Sequence, residues 1–467
     1  MDKIIFKINR LSYLINGKMS SNNLKIIKFS SPPWIIWTIS LFIFWPGMMS
    51  HDSIIQWRQI INNNIVDYQP ALHTILMWII TRIHTSPAVV ALAQIFILGL
   101  SSGWVLKNIY DWGVDIKLIW IASCIIALSP INIVMSITIW KDIPYTAIIV
   151  FITGSLFLVV PEGIKKTLHN SKFLILLGIL FSIAALLRWN GAVVAFFCII
   201  AIVFITRRLK SAIYVTSIFL FIIIIFRGPV FSLFNISTSK YIFYTLPLHH
   251  MGAFISSNVP FTEDEKSFLN NISPIKDNWQ YDCHAIRKAF GVKPGIDLIY
   301  DKQYLIDNGQ RFLKLYLKTL FNNPLVYLKH LKCSAKFIWY PWSSMERMQL
   351  KTVGGIRWIP YENEFGIISD SKLPSFVVPA TMFIKSTMFI WQPSIFLLFC
   401  IIIYLVSYNY QRNLLLLLSL IPLLSQTIGI AILTNSQEFR YQYPVVFIAH
   451  FIWLLIFKKN DKKLLDG

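Results

Sequence analysis

Five short polar strings interrupt an otherwise apolar chain, and their residue types are those of acid–base and anion chemistry. The first ends Pro46-Gly-Met-Met-Ser-His51-Asp52; the second runs from Asp67 through Gln69 and Pro70 to His73. Trp140-Lys141-Asp142, Arg188-Trp-Asn190-Gly191 and Glu438-Phe-Arg440-Tyr441 complete the set. Asp52 and Asp142 are the candidate general bases, because a positioned carboxylate can take the proton of a reacting hydroxyl. Lys141, Arg188 and Arg440 are the candidate clamps for a phosphate that gains charge as a bond to it breaks. His51, His73, Asn190, His249, His250, Glu438 and Tyr441 are further candidates for holding a substrate.

Each residue also has a purely structural reading. Asp52 precedes the apolar-periodic stretch 53–61 and could cap that helix. Lys141 and Asp142 could be an interfacial pair ahead of a helix starting at Pro144. Arg188 could snorkel to lipid headgroups, and Glu438 could pair with Arg440. The histidines show no zinc-ligand spacing.

The elements that must position these residues are membrane spans. Hydrophobic residues make up 55% of the 467, charged ones only 14%, and the mean hydropathy is +0.59. A water-soluble domain carries about 25% charged residues, so lipid is the main solvent here. Segments such as 173–183, 193–205 and 414–424, with their flanks, reach the roughly 20 residues that cross about 30 Å of hydrocarbon. No cleavage signal follows the first apolar run, which is therefore expected to stay as an anchor. The formal net charge is +21, from 43 Lys and Arg against 22 Asp and Glu. In a membrane protein this excess marks cytoplasmic helix ends, and nucleic acid is not expected as a partner.

Placing the Lys and Arg flanks inside gives spans at 33–49, 87–106, 117–139, 144–160, 173–187, 192–206, 211–226, 393–407, 414–433 and 445–457. The expected fold is an all-α polytopic membrane protein with about ten crossings and both termini cytoplasmic. Segment 71–83, about 20 Å long as a helix, is too short to cross and is expected at the interface. The expected organisation is a cytoplasmic N-terminus at 1–32, a transmembrane module at 33–226 and an extracytoplasmic α-rich domain at 227–390. Helices at 391–457 and a tail at 458–467 follow, and 376–391 reads as a surface or re-entrant piece. All five polar strings then emerge on one outer face, where charge survives by lining a cavity or pairing. Cys124, Cys198 and Cys400 sit in apolar runs as packing residues, whereas Cys283 and Cys333 could form a disulfide outside.

The order and spacing of these strings resemble the GT-C-fold glycosyltransferases, which include the protein mannosyltransferases and bacterial aminoarabinose transferases. More closely they resemble a family of bacterial GT-C-like membrane proteins. The strings are Pro-Gly-Met-Met-Ser-His-Asp-Ser (46–53), Gln-Pro-Ala-Leu-His (69–73), Trp-Lys-Asp-Ile-Pro (140–144) and Arg-Trp-Asn-Gly (188–191). Leu-Pro-Leu-His-His (246–250), Asn-Pro-Leu-Val-Tyr-Leu (323–328), Trp-Tyr-Pro (339–341) and Glu-Phe-Arg-Tyr-Gln-Tyr-Pro (438–444) extend the likeness over nearly the whole chain. The resemblance implies a polyprenyl-phosphate sugar as donor, Asp52 as the base and Asp142 as a second acid. Many such enzymes carry paired acidic residues in the first loop; here His51 precedes a lone Asp52, so no cofactor is implied with certainty and a divalent metal stays an open alternative.

The expected function is an inverting hexosyl transfer onto a surface polysaccharide or lipid-linked glycan, O-antigen modification being one such case, at the outer face of a bacterial inner membrane. A lipid-linked sugar transporter would show internal repeats and midplane charge, and neither is visible. A glycan polymerase or ligase would use a similar large outer segment and stays open as an alternative; a membrane acyltransferase would want a catalytic histidine string.

Overall fold

The computed structural model describes residues 21–159, 166–279, 281–284, 286, 300–341, 357–358, 391–411, 415–434 and 436–458. The expected surface piece at 376–391 falls almost wholly outside them, as do most of both termini and, apart from 357–358, the 342–390 stretch of the expected outer domain.

The chain enters through α1 (Ser21–Ile43), and this helix corrects the expected span at 33–49. Pro33 reads as a helix start, yet the helix already runs twelve residues earlier and passes through Pro32 and Pro33. Proline cannot donate to the carbonyl four residues back. The carbonyl that Pro32 would leave unpaired belongs to Lys28, and the Ser31 hydroxyl donates to it at 2.8 Å. Side-chain substitution of this kind is how a membrane helix carries proline. At the other end α1 stops six residues before Met49, because the chain turns into β1 (Met48–Met49).

Next come two short helices, α2 (His51–Ile61) and α3 (Ala71–Thr81). Eleven residues make α3 only about 16 Å long, so it is too short to cross a membrane by itself. The bundle continues with α4 (Pro87–Asp111) and a pair bent by 58°, α5 (Ile116–Leu128) and α6 (Pro130–Ile137), which leads into β2 (Thr138–Ile139). Then follow α7 (Asp142–Phe157), α8 (Ser171–Leu187), α9 (Trp189–Thr206) and α10 (Leu209–Ile225). α10 does not end near 226 as the charge of Arg227 suggests: a π-helical turn and one further turn carry it to Leu233.

A small helical module follows, of which α12 and α14 are amphipathic: α11 (Ile242–Ser256), α12 (Glu263–Ile272), α13 (Lys302–Asp307), α14 (Gly309–Asn322), α15 (Pro324–Ser334) and α16 (Lys336–Trp339). It has its own core, with Leu248, Met251, Phe254, Phe268, Leu269, Leu305 and Phe312 buried together. β3 (Arg357–Trp358) completes a sheet of two-residue strands in the order β2-β1-β3. The chain closes with α17 (Pro393–Gln411), α18 (Leu416–Leu433), a 3-10 turn at Phe439–Gln442 and α19 (Tyr443–Ile452).

Among the described residues seven helices are individually long and apolar enough to cross a membrane, and the bent pair would make an eighth. The protein is therefore an all-α, multi-pass membrane protein. α7 and α8 are apolar but shorter, and they pack inside the bundle: Tyr145, Ile149, Ile152, Leu177 and Phe181 are all buried in the main core.

Candidate active site

The first two loops are brought together by backbone pairing. Gly47 has φ +107°, a conformation that side chains resist, and an added Cβ would lie 3.1 Å from the Ile137 carbonyl oxygen. This turn lays β1 parallel to β2, with Met48 opposite Thr138 and Met49 opposite Ile139. Residues 50–52 and 140–142 thus leave the ladder side by side. Trp140 Nε1 donates to Ser50 Oγ at 2.5 Å, and the Ser53 hydroxyl donates to the Ile139 carbonyl. From α4, Gln94 donates to the Thr138 carbonyl at 3.0 Å and accepts from the Trp140 N–H at 3.3 Å.

Ser50, not Asp52, caps α2. The Ser50 N–H donates to Ser53 Oγ at 3.1 Å and the Ser50 side chain meets the Ser53 backbone N–H, the reciprocal pair of a capping box. Asp52 sits one residue inside the helix, where the positive end of the dipole favours it. The capping explanation of Asp52 is thereby removed.

Arg188 lies where α8 ends and α9 begins, with extended backbone. The sharp join depends on Gly191, whose added Cβ would overlap the Ala184 carbonyl oxygen at 2.2 Å. Arg440 enters from the 3-10 turn ahead of α19. The four segments meet in one ionic cluster. Arg440 reaches Asp52 Oδ2 through Nη2 at 2.7 Å, Asp142 Oδ2 through Nη1 at 3.4 Å and Glu438 Oε2 through Nε at 2.5 Å. Arg188 binds the other oxygen of Asp142 and donates from Nε to Asn190 Oδ1 at 3.0 Å. Both guanidiniums also lie against the Tyr441 ring, 4.6 Å from its centroid for Arg188 and 5.3 Å for Arg440.

Sequence reasoning expected Arg440 to clamp phosphate, but each of its three nitrogens is committed to a carboxylate. It sits among Asp52, Asp142 and Glu438 as their shared cation. Asp142 and Asp52 differ as sharply. The Asp142 side chain is 1% exposed and held between two arginines, whereas that of Asp52 is 19% exposed. Asp142 is fitted to fix the arginines, and Asp52 is the more accessible of the two carboxylates.

Lys141 completes the cluster, donating to Gln69 Oε1 at 3.1 Å. Asp67 accepts from the Ala71 N–H at 3.0 Å and so fixes the turn that presents Gln69. Lys141 lies in the turn between α6 and α7. Burial pushes its pKa down to about 7, with Arg440 and Arg188 adding to the effect and Asp52 opposing it.

Beneath the ions lies an uncharged layer. Asn190 donates to the Tyr145 hydroxyl at 2.9 Å and to Gln426 Oε1 at 2.5 Å, and Gln426 Nε2 donates to the Tyr441 carbonyl at 2.7 Å. Gln94, Tyr145 and Gln426 were not singled out from the sequence. The available signal was an amide buried in each of two apolar helices, which needs a partner wherever hydrocarbon or packed protein surrounds it.

His73 belongs to a flanking network, with Nδ1 3.0 Å from Gln56 Oε1, and Gln56 in turn donates to Thr74 at 3.1 Å. His51 begins α2, and its side chain lies outside the described set. His249 and His250 do not join the cluster. Both are buried in the helical module, their ring centroids 4.7 and 4.8 Å from that of His330. His250 Nδ1 lies 2.9 Å from the Tyr316 hydroxyl, His330 Nδ1 lies 2.8 Å from that of Tyr281, and His249 Nε2 lies 2.9 Å from the Asp282 carbonyl. Their place is that of a packed aromatic core.

The module is tied to the cluster through Gln437. Cys283 and Cys333 form a disulfide, with Cα atoms 5.8 Å apart. The Gln437 N–H donates to the His284 carbonyl at 3.0 Å, and its side-chain amide donates to the Cys333 carbonyl at 2.7 Å. Gln437 immediately precedes Glu438, the partner of Arg440.

Asp142→Asn should destabilise the protein by about 3–5 kcal/mol, because it strands two buried arginines. Asp52→Asn should cost less, since Asp142 and Glu438 still hold Arg440 and Ser50 retains the cap. Thermal unfolding of both variants in one detergent checks the contrast.

The histidine core predicts an acid response. Burial, foremost, lowers His250 to about 2 and His330 to about 3, each neighbouring histidine adding to the effect, and burial lowers His249 as well. In the unfolded chain an imidazole titrates near its ordinary value of about 6.5. The stabilisation is therefore complete above that value and is lost progressively as pH falls towards the folded values. Amide protection factors in α11, corrected for intrinsic exchange, should fall between about pH 7 and about pH 5.

Comparison with protein-family models, with curated proteins and with solved structures finds no match to this chain.

Proposed function

We propose that this protein is an integral-membrane glycosyltransferase of the GT-C kind, moving a hexose from a polyprenyl-phosphate donor to a hydroxyl of a surface glycan at the outer face of a bacterial inner membrane. One observation carries the reading. Asp52, a partly exposed carboxylate held at 2.7 Å by Arg440, shares one end of a bundle of membrane helices with Lys141 and Arg188. A base and cations set together at a membrane surface suit a reaction whose donor keeps its tail in lipid and its phosphate at the headgroups.

In this reading the acceptor oxygen attacks the anomeric carbon from the side opposite the phosphate, and Asp52 takes the hydroxyl proton. The bond from the anomeric carbon to the phosphate oxygen breaks, and its electron pair leaves with polyprenyl phosphate, which gains one negative charge. Lys141 and the unshared side of the Arg188 fork oppose that charge. The product carries the inverted configuration. Arg440 keeps Asp52 aimed and ionised, a role that a fixed cation fills among these carboxylates. The about ten crossings and cytoplasmic termini expected from the charge pattern belong to the same reading.

A general base contributes typically about 10²–10⁴-fold, so Asp52→Asn should lower transfer by that factor while the protein stays folded. A radiolabelled-sugar transfer assay on the purified variant checks this, and activity near the parent's would make Asp52 a structural ligand of Arg440 alone. Lys141 supplies a pH test. Below about 7 its ammonium is charged and above it is not, so affinity for polyprenyl phosphate should fall as pH rises through about 7. Lys141→Met should bind more weakly and lose that pH step. Because Arg440 occupies the centre of the carboxylates, transfer should also survive a strong divalent chelator at full rate; a rate restored only by added metal would reassign the cluster.

A further inference from the structure

The helical module carries a second apolar face that its own core does not use. α14 already buries Phe312, Leu315 and Thr319. A quarter-turn to a half-turn away, Leu313, Leu317 and Phe321 follow one another at intervals of four and are all exposed, Phe321 to 74%. Intervals of four line up along one side of a helix. α15 starts after the single residue Asn323 and exposes Leu325, to 71%, and Leu328. Large apolar side chains in a continuous row on an extramembrane helix mark a contact with lipid or protein.

Three features identify lipid. The row is bordered by Lys314, Lys329 and Lys332, which enter no ion pair among the described residues. The neighbouring cations Arg311 and Lys318 are already matched by Asp264 at 2.7 Å and Glu265 at 2.8 Å. Unmatched lysines beside leucine and phenylalanine form the pattern of a helix lying in a headgroup layer. The row also runs into the membrane bundle: Ala335, Phe337 and Ile338 pack with Leu397 of α17 and Ile430 of α18, both candidate spans. At that junction Trp339 is exposed, its ring nitrogen donating to the Lys332 carbonyl at 3.1 Å, and Lys336 lies over the Tyr340 ring. Tryptophan, tyrosine and lysine at a span end are interface anchors.

We propose that the Leu313–Leu317–Phe321–Leu325–Leu328 row of α14 and α15 lies in the lipid surface of the protein's own membrane, with Lys314, Lys329 and Lys332 on anionic headgroups. The module is then seated on the membrane beside its spans, at the depth of a lipid phosphate. This inference stands on the exposed row and its flanks and does not depend on the proposed transfer reaction.

The test is a depth measurement on the full-length protein in nanodiscs of phosphatidylethanolamine and phosphatidylglycerol. Phe321→Cys and Leu325→Cys are labelled singly with an environment-sensitive fluorophore, and Glu263→Cys serves as the water-facing control. Both test sites should be quenched by lipids brominated near the headgroup end of the acyl chain more than by lipids brominated near its terminus, as expected for burial of about 5–10 Å. Iodide in the buffer should quench the Glu263 label and spare them. Replacing phosphatidylglycerol by phosphatidylcholine should reduce the lipid quenching. Quenching by iodide and not by brominated lipid would show the row facing water. Protection from both quenchers would show it covered by protein, this chain or another; either result overturns the proposal.

Discussion

The arrangement of the cluster depends on one fact of electrostatics: a guanidinium removed from water has to be surrounded by negative charge. Arg440 answers that demand with three carboxylates drawn from three separate parts of the chain, and Arg188 shares one of them. No single loop could supply the set. The helices that carry Asp52, Asp142, Arg188 and Arg440 must therefore end at one level and face one another, and the ladder between β1 and β2 gives the first two their common level. Asp142 is the least replaceable member because it touches both arginines.

The same demand decides which groups are left for chemistry. Asp142 is too enclosed to meet a substrate, and Arg440 has its three nitrogens turned to carboxylates. Asp52 keeps an accessible side, and Lys141 is held by the neutral Gln69, not by a direct ion pair among the described residues. Beneath them, Asn190, Tyr145 and Gln426 satisfy one another. A fully paired polar layer of this kind holds its members in one geometry.

Much of the architecture could be read from the residues. Apolar runs of span length and lysine-rich flanks mark the helices, and charges at helix ends pointed to Asp52, Asp142, Arg188 and Arg440 as neighbours. The division of labour among them was not legible, because it follows from three-dimensional pairing that spacing does not encode. The start of α1 was misread because proline commonly opens a helix, and its passage is explained by hydroxyls that sequence spacing does not reveal: Ser31 donates to the Lys28 carbonyl and Ser123 to that of Phe29. His249 and His250 entered as candidates for holding a substrate, on the Leu-Pro-Leu-His-His string at 246–250. In the fold they are aromatic filling, packed on His330 and invisible as a triad until α11 and α15 are brought together. Gln437, an ordinary polar residue in sequence, gives no sign of its two distant partners.

Those two bonds of Gln437 give the molecule a short mechanical linkage. One end grips the chain on either side of a covalent crosslink, and the other is joined through a single peptide unit to the carboxylate that steadies Arg440. A tilt of the helical module would pull on the residue that precedes Glu438. Whatever sets the posture of the module therefore bears on the same ionic cluster that holds Asp52.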